Sequence, residues 1–482
     1  MAFDLQRNGD ELCVFIEIER VLVMNKREFL KGGLRLGVAA GLAGAAVAES
    51  DAADRSVLRK IRGSLDATHF GVRPDTADDQ SKAIQSLLDQ ASRDNKPIFF
   101  PSGNYVVSNI DLPSRTRMVG IPGASRLIYG GRGSFLNGSG CELVHMTGMV
   151  LDGANGVIAD EYAGLVYLRA VKDVAIDQCG FIGSQQLGVS LAKCGGRVTR
   201  SSISGAAGFA GLYSVDATGL SITENTVSDC ANGGILVHRW KAGDDNSIIS
   251  GNRISRIAAK AGGTGQRGNG INLFRAGNVV VTGNHVSDCA FSAIRANSAN
   301  NCQMSSNTCL RSGETALYAE FSFEGSVING NIVDGAVTGI SIANFNEGGR
   351  LAVCSNNLVR NLLMDGPYPD EGGFGTGIYV EADTSLTGNV VEGAPTYAIG
   401  LGFGPYLRDV VAANNVVRDS AVGFAVSVVE GVGHCTIANN VVSGAKKGAI
   451  LGYRWNDIVT GELLNDGYQG SPKLVTSGNT LV

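Results

Sequence analysis

Proline is scarce, at 10 in 482 residues, and charged side chains make up only 18% of the chain. With so few prolines and no Gly-X-Y period, the 67 glycines do not make a collagen-like rod. A hydrophobic fraction of 44% excludes a disordered chain. Basic residues do not exceed acidic ones (40 against 45, net charge −5), so no nucleic-acid partner is expected. Past residue 50 there is no 18-residue apolar run, so no transmembrane helix is expected in the mature chain. There is no Cys-x-x-Cys, and His69, His145, His238, His285 and His434 are scattered. No metal site and no cofactor are therefore evident. What the chain has instead is glycine, which in a proline-poor sequence points to many tight turns between short strands.

The first fifty residues read as an export signal. Lys26-Arg27-Glu28-Phe29-Leu30-Lys31 precedes a small-residue apolar run from Leu36 to Val47, which ends in Ala46-Val47-Ala48. The basic segment resembles a twin-arginine signal in which Lys26 stands for the first arginine, so either the twin-arginine or the Sec machinery would be the export partner. Met24 is the expected start, residues 1–48 the signal region, and the mature chain is expected to begin near Glu49 and to be periplasmic or secreted.

From residue 220 onward one pattern recurs: apolar, two small or polar residues, Asn, any residue, Val or Ile. It is centred on Asn225, Asn252, Asn284, Asn307, Asn331, Asn357, Asn389, Asn415 and Asn440, at intervals of 27, 32, 23, 24, 26, 32, 26 and 25 residues. Alternation with period two within each unit indicates strands. A unit this short cannot bury its own apolar face and must stack on its neighbours. Leucine is too sparse for leucine-rich repeats, and the period is too short for a propeller blade. The expectation is all-β: a single right-handed parallel β-helix over 121–482, its hand set by right-handed parallel crossovers. Ile222, Ile249, Val281, Met304, Ile328, Leu386 and Ile437 should share one inward column. The repeated Asn reads as structural, because Asn tolerates a left-handed backbone and bonds backbone groups at a bend. Cysteines recur where other units hold Val, Ile, Ala or Ser, so Cys230, Cys289 and Cys309 should be buried and unpaired.

Residues 49–120 differ. Phe70-Gly-Val-Arg-Pro-Asp75 leads to Asp78-Asp79-Gln80, then to Ala83, Ile84, Leu87 and Leu88 at helical spacing. Ile98-Phe-Phe-Pro-Ser-Gly103 and Leu112-Pro-Ser-Arg follow. This order resembles the opening of pectate-lyase-like right-handed β-helix proteins, in which a short amphipathic helix caps the coil. With the signal and the glycine-rich repeats, it also resembles a bacterial family of twin-arginine-exported repeat proteins without assigned activity. The resemblance implies a polysaccharide partner. It carries over no catalytic residues: of the polygalacturonase motifs only Asp244-Asp245 is present, and the pectate lyase and alginate epimerase signatures are absent.

Stacking aligns the outward residues of the second strand of each unit. One column runs Leu236, Asn272, Arg295, Tyr318, Ser341, Tyr379, Gly400; the other runs His238, Phe274, Asn297, Glu320, Ala343, Glu381, Gly402. Arg295, Tyr318, Glu320, Tyr379 and Glu381 should then form one surface cluster. If it is catalytic, Glu320 and Glu381 are the acid and base of a hydrolase, roughly 10 Å apart at two rungs of about 4.8 Å. A lyase would instead use Arg295 against a uronate carboxylate and Tyr318 to move the proton. Tyr379, His238, Asn272, Asn297 and Trp240 are candidate substrate contacts. Two long units place insertions near 258–269 and 363–376 at the same corner, which would wall this face and bring Tyr368 and Phe374 to it. The columns turn to glycine toward the carboxy end, which reads as the limit of the cluster. A polysaccharide lyase, hydrolase or epimerase, a non-catalytic carbohydrate-binding or envelope scaffold, and a tailspike-like attachment protein all remain open on these residues.

Overall fold

The computed structural model describes residues 63–482 except 159, 161–162, 344–348 and 370–372. The signal region 1–48, Met24 and Lys26-Arg27 lie outside the described residues. Short strands recur along the chain and pair across whole repeats, not between sequence neighbours. Sixteen of them make one parallel sheet, from Leu65–Asp66 to Leu474–Ser477. Its central register runs Ile222, Ile249, Val281, Met304, Ile328, Cys354, Leu386, Ala412, Ile437. All nine are fully buried. The expected inward column is therefore present, with Cys354 and Ala412 filling the two units that lack a large residue.

A second sheet of 29 strands holds the rest of the coil. It covers two faces, one directly after the Asn corner and one beyond it. Long strands such as Thr308–Glu320 and Ile332–Ala343 run through both. The described pairings are parallel apart from the hairpin of Gly448–Arg454 with Asp457–Glu462 and one isolated bridge near the carboxy end. Among the described residues the first strand pairing is Leu65–Asp66 with Ile98–Phe99, so rungs of the coil are present within the segment read from sequence as a cap. Among the described residues the one α-helix, Ser81–Asp94, buries Ile84, Leu87, Leu88 and Ala91 against the first rungs. Asp79 accepts from the Ser81 N–H at 2.8 Å, and Asn95 ends the helix in the left-handed region at φ 52°.

The repeated asparagines stack into a buried ladder. In each step the backbone N–H and Nδ2 of one Asn both donate to Oδ1 of the next; for Asn307 and Asn331 these are 2.9 and 3.1 Å. Nδ2 also donates back to a carbonyl of the rung before, Asn331 to Met304 at 2.9 Å. The ladder runs from Asn225 to Asn440 and one rung further, to Asn479. One expected reason for Asn is misplaced by one residue. The left-handed backbone belongs to the position before it, held by Glu224, Gly251, Gly283, Ser306, Gly330, Asn356, Gly388, Asn414, Asn439 and Gly478. Asn itself is there for its amide, which satisfies backbone groups at a buried corner. The nine described cysteines are all buried and free.

Candidate functional site

Both outward columns are real registers. Leu236, Asn272, Arg295, Tyr318, Ser341, Tyr379 and Gly400 pair in succession, as do His238, Phe274, Asn297, Glu320 and Ala343. The columns extend back through Tyr213 to Tyr167 and Asn137. Side chains alternate across a strand, so Tyr318 and Glu320 on one rung, and Tyr379 and Glu381 two rungs later, leave the coil on the same side.

The expected cluster is not a surface. Glu320 is 2% and Glu381 0% exposed. Arg295 and Glu320 form an ion pair in which the Arg295 Nε–H donates to Glu320 Oε1 at 2.5 Å, and Asn297 Nδ2 donates to the same oxygen at 2.7 Å. The backbone of the first insertion lies against the guanidinium. A Cβ on Gly265, whose φ is 118°, would stand 2.7 Å from Arg295 Nη1. Arg295 and Glu320 thus neutralise each other beneath a loop, and neither lines the adjoining cavity.

That cavity, of about 350 Å³, lies under the second insertion. Tyr318, Tyr379 and Glu381 line it, and so do Glu314, Tyr368, Phe374, Tyr397 and Phe403. Glu314 is 6% exposed; Tyr368 donates its hydroxyl to Oε1 at 2.7 Å and Ser292 donates at 3.3 Å. Burial pushes the Glu314 carboxyl above its ordinary value, against the lowering effect of the Tyr368 bond and of Arg295. Burial, then the charges of Glu320 and Glu314, hold the Tyr318 hydroxyl well above the usual tyrosine range; burial and Glu381 do the same to Tyr379. Both phenols are therefore donors at working pH. Tyr368 packs between Phe291 and Phe374, with ring centroids 6.5 and 5.6 Å away, which anchors the insertion.

Sequence reasoning missed Glu314 and Tyr397. Glu314 lies at the corner of a strand that runs through two faces, where strict alternation no longer reports direction. The glycines at the end of the columns do not end the site. A Cβ on Gly400 would stand 2.6 Å from Tyr397 and 2.7 Å from Tyr379. Gly400 is the floor on which these rings lie, and a smaller cavity of about 200 Å³ continues past them under Phe403, Tyr453 and Trp455. Of the expected substrate contacts, Tyr379 is in the Glu314 cavity, while His238 and Trp240 line a separate one several rungs earlier. Asn272 is buried and lines neither cavity, and Asn297 is bonded to Glu320.

A family model for the right-handed beta helix region matches residues 187–361 and 243–407. No curated protein matches the sequence. Among solved structures, the catalytic unit of the thermostable GH87 alpha-1,3-glucanase of Streptomyces thermodiastaticus strain HF3-3 is similar at 17% identity, over 87% of this chain and 69% of that one, with a TM-score of 0.46. The A-module of the mannuronan C-5 epimerase AlgE4 of Azotobacter vinelandii is similar at 14% identity over 75% and 97%, with a TM-score of 0.49. The N-terminal fragment of gene product 12 of bacteriophage Phi29 is similar at 14% over 90% and 73%, with a TM-score of 0.48. The chain is a right-handed parallel β-helix, as the repeat and the cap implied.

Proposed function

We propose that this β-helix binds a polysaccharide along the face of Tyr318 and Tyr379 and hydrolyses it, with Glu314 as general acid and Glu381 as the second carboxylate. The observation that carries the reading is one cavity holding two carboxyl groups and a set of aromatic rings. Aromatic faces suit the apolar faces of sugar rings, and hydroxyl donors at their edges suit sugar oxygens. A buried carboxyl with a raised pKa keeps the proton that a leaving glycosidic oxygen needs. A second carboxylate then activates water or attacks the sugar.

Glu314 takes the role that the sequence had given to Glu320. Glu320 is engaged by a guanidinium and an amide beneath a loop and does not line the cavity, so it has no path to a leaving glycosidic oxygen. The same pairing weakens the lyase reading, since Arg295 is engaged and not free to meet a uronate carboxylate. Tyr318, whose hydroxyl holds its proton, is a poor base. We also propose export to the periplasm or beyond, which rests on the amino-terminal sequence alone.

The test is cleavage of a panel of neutral and acidic polysaccharides, read for new reducing ends and for unsaturated products by ultraviolet absorbance. Glu314→Gln and Glu381→Gln should each lower hydrolysis by about 10²–10⁴-fold. Wild-type rates in both variants would remove the active site from this cavity. Unsaturated products would restore the lyase. Oligosaccharide binding that is lost in Tyr379→Ala, with no cleavage by any form, would favour the scaffold.

A further inference from the structure

The first insertion builds a second cavity, of about 350 Å³, on the same face. Its floor is a ring cluster centred on His238. Tyr213, Phe274 and Phe209 lie 5.3, 5.6 and 6.0 Å from the imidazole, each edge-on. Trp240 stands at the rim, 62% exposed. Burial lowers the His238 pKa to about 4, so the ring is neutral, and its buried Nε2 has no hydrogen-bond partner. A buried polar atom without a partner is rare in a folded protein, and here it lies in a residue of the cavity wall.

The charge of this cavity is opposite to that of the first. Arg239 and Arg267 line it, and no carboxylate does. Arg267 is held at the mouth by donating Nη1 to the Ala261 carbonyl at 2.8 Å and to Gly262 at 3.4 Å. Arg239 donates Nη1 to Ala217 at 3.3 Å, while its buried Nε lacks a partner. Asp245 acts on Arg239 electrostatically, but it is itself buried and bonded to Ser247. Among the described residues neither arginine has an ion-pair partner, although those of the surrounding corner do, such as Arg256 with Asp229 and Arg311 with Asp288. Guanidinium groups left unpaired over an aromatic floor suit a planar carboxylate carried on a ring.

We infer that the His238 cavity is a second saccharide site that takes a sugar bearing a carboxylate, its ring against Trp240 and its carboxylate on Arg267 and Arg239. His238 and Glu381 are five rungs apart in register, about 24 Å along the coil. A polymer following the face would thus be held by an acidic unit here and enter the Glu314 cavity, which is lined by no cation, with neutral units several sugars away. The natural occupant rests on the polysaccharide reading; the site itself does not.

The test uses Trp240 as reporter, in full-length protein carrying Trp455→Phe. Glucuronate and glucose are titrated separately and the fluorescence is followed. Glucuronate should give a saturable change, and glucose should need about tenfold more or give none, the ratio expected from one charge-assisted pair. Arg267→Ala should weaken glucuronate about tenfold, and Arg267→Lys should recover part of it. Melting curves confirm that each variant is folded; Arg267 is on a loop. Equal response to both sugars, no saturable response to glucuronate, or an unchanged Arg267→Ala would overturn the inference. Hydrolysis that persists while uronate binding fails would leave the Glu314 reading standing, and the converse would leave this one.

Discussion

Removing Glu320 tests its part in holding the coil, separately from the catalysis proposed for Glu314. The Arg295 and Glu320 side chains are 11% and 3% exposed, so deletion of the acid leaves a guanidinium with little water to replace its partner. Breaking a buried pair in this way costs about 3–5 kcal/mol. The Asn297 amide loses its acceptor as well, adding about 1 kcal/mol. Glu320→Ala should therefore destabilise the coil by about 4–6 kcal/mol. The double variant Glu320→Ala, Arg295→Met should recover part of that, because it removes the stranded charge and Met fills most of the space of the arginine. Urea denaturation of the four proteins of the cycle, followed by circular dichroism and checked by hydrogen exchange around residues 294–320, reads both effects. Exchange is needed because a repeat coil does not have to unfold in one step. If Glu320→Ala is as stable as wild type, or the double variant recovers nothing, the pair is not what holds this part of the face. In any folded Glu320→Gln protein, hydrolysis should fall far less than in Glu314→Gln; a comparable fall would return Glu320 to the chemistry.

Asn331→Ala removes two bonds donated by Nδ2 and two accepted by Oδ1, so at about 1 kcal/mol each it should cost about 4 kcal/mol, seen as a lower denaturation midpoint and as faster exchange at the Asn307 amide. Because the Glu314 pKa is raised, the folded state holds a proton that the unfolded state has released. Its contribution to stability is present below the unfolded value and lost as pH rises through the folded one. Wild type should therefore lose stability relative to Glu314→Gln as pH rises from 4 toward neutrality, measured by melting temperature; a difference that does not vary with pH would contradict the assignment. Burial raises the Cys179, Cys230, Cys302, Cys309, Cys354 and Cys435 thiols to about 12, so the native protein should show almost no reactive thiol at pH 8 while unfolded, non-reduced protein releases all of them.

The coil was legible because its determinant is local and repeated. Asn at near-constant spacing and an apolar residue three positions before it set the register, and Ile222 to Ile437 stack as their spacing implied. The outward columns followed from the same register. What covers those columns was not legible. Glu320 reads as an exposed acid until the insertion is seen folding onto Arg295, and Gly400 reads as a gap until two tyrosines are seen lying on it. Glu314 was hidden for a related reason: at a corner the backbone turns, and period two no longer assigns a side. Insertions have no partner in the repeat, so their path depends on contacts such as Tyr368 with Phe291 and Glu314, which no spacing encodes.

The asparagine ladder also bears on how such a chain reaches its native state. Its rungs join residues 23 to 39 apart, in a chain of 482. Typical separations near 25 give a relative contact order of roughly 0.05, lower than in helical bundles although nearly every contact is between strands. No closure of a long loop is needed at any step, because each new turn forms on the edge left by the turn before. Folding can then propagate along the axis, with the last completed edge as template. A defect in a single amide does not only weaken one rung. It offers the next turn a template with its acceptor missing, so growth should stall there and leave an open parallel edge, the kind of surface on which a second chain can pair.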